Sequence, residues 1–114
     1  MELTFSSRRL EKQVNENRTM IKAFGPQRAK RLQIVLTALR VAPSLGVFAP
    51  PYSPPHRCHE LTGNRKGKLS LDLDGPYRLI LAPAHNPLPQ RPEGGLDWYQ
   101  VTAIKIYGVE DTHG

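Results

Sequence analysis

The chain has 114 residues, a length that supports one domain and leaves too little for a second core. Its 39% hydrophobic and 23% charged content excludes an intrinsically disordered class, and one cysteine excludes an internal disulfide framework. The net charge of +6 points to an anionic partner. That charge is uneven: residues 1 to 40 hold nine Lys/Arg against three Glu, whereas the remainder balances seven against seven. No apolar run reaches signal-peptide or membrane-span length, so no membrane association and a cytoplasmic location are expected.

In chain order, Glu2 to Phe5 alternates as a short strand, and Ser6-Ser7 offers a helix cap. From Arg8, the positions Leu10, Val14, Ile21 and Phe24 form one stripe of a single helix ending at Gly25. Pro26 suits the first turn of a second helix, whose stripe is Ala29, Leu32, Val35, Leu36 and Leu39 and whose stop is Pro43. The Gly-Pro joint makes the two helices a hairpin that needs a sheet to cover it.

Residues 43 to 56 contain five of the eleven prolines and read as a stiff connector, with Phe48 and Tyr52 anchoring it. Pro51 to Pro54 matches a P-x-x-P pattern formally. Arg57 to Leu61 is a candidate strand, and Thr62-Gly63-Asn64 a turn. Leu69, Leu71 and Leu73 alternate with polar residues, Asp74-Gly75 closes a hairpin, and Tyr77 to Ala82 returns. That register allows Lys68, Ser70 and Arg78 to share one face. A long loop over Pro83 to Trp98 leads to a last strand, Val101 to Val109, and an acidic tail ending in a histidine.

The fold class these elements predict is α+β: an N-terminal strand and a two-helix hairpin packed on a mostly antiparallel, twisted sheet, all within one domain spanning 1–114. Two histidines, His59 and His113, suit proton transfer near neutral pH. Two arginines, Arg65 and Arg78, can hold a phosphate bidentately. His56, Cys58 and His59 lie close enough in sequence to raise a metal site, but on a strand Cys58 points away from both histidines, and no metal or cofactor is expected. For a purely binding role, Tyr77, Trp98 and Tyr107 are the aromatic residues placed to stack bases.

The run His59-Glu60-Leu61-x-Gly63-x-Arg65-Lys66-Gly67, then Leu69-Ser70-Leu71, then Tyr77-Arg78-Leu79, with Glu110-Asp111-x-His113, resembles the HigB branch of the RelE superfamily of type II toxin-antitoxin toxins. The resemblance implies a RelE-like fold and a metal-independent endoribonuclease, an mRNA interferase acting on the ribosome. It implies a helix-turn-helix, HigA-like antitoxin as partner. It also implies catalytic roles for His59, Arg65, Arg78, Asp111 and His113, while Arg57, Lys66, Lys68 and Ser70 would contact RNA. Leu69, Asp72 and Thr112 depart from the family pattern. The alternative is a non-catalytic RNA- or ribosome-binding protein that keeps the fold.

Overall fold

The computed structural model describes residues 1–49 and 54–111. Tyr52, most of the P-x-x-P motif, Thr112 and His113 lie outside these residues. The chain folds as α+β. Five strands, β1 (Glu2–Phe5), β2 (His59–Glu60), β3 (Leu69–Asp72), β4 (Tyr77–Pro83) and β5 (Ala103–Asp111), form one mixed sheet in the order β1-β5-β4-β3-β2. Only β1 and β5 run parallel; the other neighbours are antiparallel.

Three helices, not two, precede the main sheet: α1 (Arg8–Asn15), α2 (Asn17–Phe24) and α3 (Pro26–Val41). Ser7 caps α1, its hydroxyl accepting from the Leu10 N–H at 3.1 Å. The expected single helix breaks at Glu16, whose backbone is extended at φ −130° and ψ 145°. The Thr19 hydroxyl supports that break, lying 2.9 Å from the Glu16 carbonyl oxygen and 3.1 and 3.2 Å from those of Lys12 and Gln13. Breaking the helix rotates its second half. Met20 is therefore buried where Ile21 was expected, and Ile21 is 38% exposed.

Gly25 joins α2 to α3 at φ 83°, a left-handed conformation that glycine adopts without a side-chain clash. The stripe of α3 is buried at every expected position: Ala29, Leu32, Val35, Leu36 and Leu39. It packs on the sheet face carrying Leu69, Leu71, Leu79, Leu81, Ile104 and Ile106. Each such side chain contributes about 1.5–3 kcal/mol when removed from water, so this layer is the main source of stability.

Two strands differ from their expected limits. The segment from Arg57 contributes only His59 and Glu60, because Arg57 itself takes a positive φ of 46° and turns the chain off the sheet line. The last strand starts at Ala103: the Val101 carbonyl instead accepts from the Leu45 N–H at 2.9 Å, and the Thr102 N–H donates to His85 Nε2 at 3.1 Å. These bonds dock both long connections against the sheet's end. The connection after β4 carries Trp98 into the core, where its indole N–H donates to Glu60 Oε2 at 3.3 Å. Among the described residues, no helix is long and apolar enough to cross a membrane.

Candidate functional site

Alternation along β3 and β4 sends the leucines toward the helices and leaves Ser70, Asp72, Arg78 and Ile80 on the opposite face. On β5 the same face carries Glu110, opposite Arg78, and Gly108, opposite Ile80. His59 joins from β2 as the partner of Ser70. The expected sharing of one face by Ser70 and Arg78 is thus met.

His59 is held at both ring nitrogens. Its Nδ1 lies 2.9 Å from the Arg57 carbonyl oxygen, which can only accept, so the ring proton resides on Nδ1. In the neutral ring Nε2 then presents its lone pair toward the Ser70 hydroxyl, 3.4 Å away. The positive φ at Arg57 is what brings that carbonyl within reach of the imidazole. Ser70 itself is 2% exposed, so its hydroxyl has a fixed setting.

The arginines are engaged. Arg78 Nε meets Asp72 Oδ1 at 2.9 Å, and its Nη1 donates to the Gly75 and Tyr77 carbonyl oxygens, both at 2.9 Å. Asp72 also faces Arg57 Nη1 at 3.6 Å. From the β2–β3 connection, Arg65 reaches across β3 and β4 and ion-pairs with Glu110 on β5. Ile80, on the face away from the helices, is nonetheless fully buried. Lys68 follows the same path, its ammonium 4.3 Å from the centroid of the Tyr107 ring. Lys66 lies exposed on the turn.

The two ends of the expected catalytic set fall differently. Asp111 pairs with Tyr77, so alternation assigns it to the helix-side face, and the acid beside Arg78 is Glu110. His113 lies outside the described residues. Tyr77 has the Arg28 guanidinium 3.3 Å over its ring, and Trp98 is buried, so of the three aromatics Tyr107 is the one on the open face.

Sequence reasoning passed over Glu110 and Lys105 as members of this face. Only the pairing register shows that Glu110 lies opposite Arg78. Asp72 was legible as an ion-pair partner, since it stands two residues after Ser70 on the same strand face. Cys58 is buried at 1% exposure, and burial, with Glu60 adding a smaller effect, pushes its thiol pKa up to about 12. Its surroundings are those of a packed hydrophobe. Among the described residues, no three His, Cys, Asp or Glu side chains converge as a metal site would require.

No family model matches the chain, and no curated protein matches it.

Proposed function

We propose that the protein is a metal-independent endoribonuclease with a RelE-like fold, the HigB-like toxin of a type II toxin-antitoxin pair, cleaving mRNA on the ribosome in the cytoplasm. The observation carrying this reading is the 2.9 Å contact between His59 Nδ1 and the Arg57 carbonyl oxygen. A proton fixed on Nδ1 by the Arg57 carbonyl leaves Nε2 as a base on a sheet face lined with cations. A ribose 2′-OH gives its proton to such a base, its oxygen attacks the adjacent phosphorus, and the 5′-oxygen leaves with a proton from an acid. The products are a 2′,3′-cyclic phosphate and a 5′-hydroxyl.

In this reading Arg78 stabilises the charge on phosphorus and Arg65 binds phosphate, each exchanging a carboxylate partner for the substrate. By the resemblance His113 is the acid, while Asp111, assigned by its pairing to the helix-side face, is not placed beside Arg78. Arg57, Lys66 and Lys68 position RNA, and Ser70 orients His59. The excess positive charge of residues 1 to 40 suits an acidic segment of a helix-turn-helix antitoxin. The groove between α1 and α2 carries Arg9, Lys12 and Lys22.

A second reading has its own support. Arg65 and Arg78 are both neutralised by carboxylates, an arrangement suited to a folded scaffold that binds RNA without cleaving it. Incubating purified protein with a defined mRNA fragment and assaying for 2′,3′-cyclic phosphate ends decides. Cleavage that falls at least about 10²-fold in His59→Gln supports the enzyme. Binding with no cleavage by the unaltered protein supports the scaffold.

A further inference from the structure

The β4–β5 ladder contains an irregularity: Ile80 pairs with Gly108 and Leu81 with Ile106, which leaves Tyr107 with no residue opposite. Such bulges re-aim a side chain out of the strand's alternation. Tyr107 is 38% exposed, with the Lys68 ammonium 4.3 Å and the Lys105 ammonium 5.6 Å from its ring centroid. Two like charges gathered at one ring repel each other, and among the described residues neither lysine is ion-paired. The acids of this face are committed elsewhere, Asp72 to Arg78 and Arg57, and Glu110 to Arg65. Next to the ring, Gly108 has no described atom within 4 Å of where a Cβ would stand.

An accessible aromatic ring, room beside it and two uncompensated ammonium groups match a nucleobase with its flanking phosphates. We propose that Tyr107 is the stacking platform for one base of a single-stranded RNA, with Lys68 and Lys105 holding the phosphates on either side. This rests on the reading of the chain as an RNA-acting protein. Phosphate binding draws the Lys68 ammonium off the ring, because a base on an exposed aromatic is the stronger contact of the two.

The test uses the full chain and a fluorescein-labelled 2′-O-methyl oligoribonucleotide, which cannot be cleaved through a 2′-OH, with binding read by anisotropy. Tyr107→Leu is expected to weaken binding about tenfold, while Tyr107→Phe, which keeps the ring, binds as the unaltered protein does. Removing a base from the oligonucleotide is expected to cost the unaltered protein a similar factor and Tyr107→Leu nothing. Lys68→Gln and Lys105→Gln each lower the slope of log affinity against log salt by about 0.7.

Equal binding by Tyr107→Leu and the unaltered chain overturns the platform, as does an abasic penalty that is undiminished in Tyr107→Leu. These outcomes are separable from the fate of the enzyme reading. A chain that binds the uncleavable RNA through Tyr107 yet cleaves no mRNA keeps the platform and loses the nuclease. A chain that cleaves mRNA with Tyr107→Leu binding unchanged does the reverse.

Discussion

Asp72 and Arg78 are joined twice, as direct partners across the β3–β4 ladder and as an ion pair at 2.9 Å. The Asp72 side chain is 16% exposed, so losing Arg78 leaves a mostly buried carboxylate with only the longer contact to Arg57. Arg78→Ala is therefore expected to cost about 1–3 kcal/mol in urea unfolding, apart from any effect on RNA. Asp72→Asn frees the guanidinium and is expected to steepen the salt dependence of RNA binding. An unchanged slope in Asp72→Asn would show that Arg78 does not meet phosphate.

Gly46 lies beneath the Tyr99 ring, where an added Cβ would stand 2.7 Å from Cγ. Gly46→Ala is expected to destabilise by about 1–3 kcal/mol through overpacking. Made in a Tyr99→Ala background, the same change is expected to cost almost nothing. Thermal melts of the four proteins in this cycle measure the coupling.

Cys58 is expected to resist thiol reagents in the native state at mildly alkaline pH and to react fully in guanidinium. Its raised pKa leaves almost no thiolate, and its burial denies access. Rapid native labelling in an Ellman assay would contradict its place in the core.

His56 packs edge-on to Phe48 with ring centroids 5.8 Å apart, and its Nδ1 is buried with no hydrogen-bond partner among the described residues. Burial first, and the Arg31 charge second, lower its pKa from the ordinary value of 6.5. Below that value the unfolded chain binds the proton more readily than the native one, so stability falls as pH falls from 6.5 toward the lowered pKa. His56→Phe is expected to flatten this part of a melting-temperature profile. Parallel profiles for the two proteins would refute the assignment.

Local chemistry made much of the architecture legible. Gly25-Pro26, the apolar stripe of α3 and the alternating leucines of β3 each specify their element through a single dominant signal, and each appears where expected. Glu16 carries no such signal. The residues around it suit a continuous helix, and the break is held by bonds from Thr19 and by burial of Met20 rather than by a glycine or proline. The open face was half legible. Ser70 and Arg78 share it by counting, but the strap from Arg65 to Glu110 depends on a fold-wide register. The bulge at Tyr107 is likewise invisible to periodicity, because Ile104 and Ile106 alternate normally up to it.

The parallel pairing of β1 with β5 carries a temporal consequence. Glu2 pairs with Ala103, so β1 has no neighbour in the sheet until β5, about a hundred residues further on, has been made. The helices can form while β1 waits, but β4 keeps an open edge until β5 arrives. Glu110 and Tyr107, which complete the open face, arrive on that same strand. The open face is therefore complete only once β5 is seated between β1 and β4, and without it the histidine stands on a sheet that lacks half of that surface.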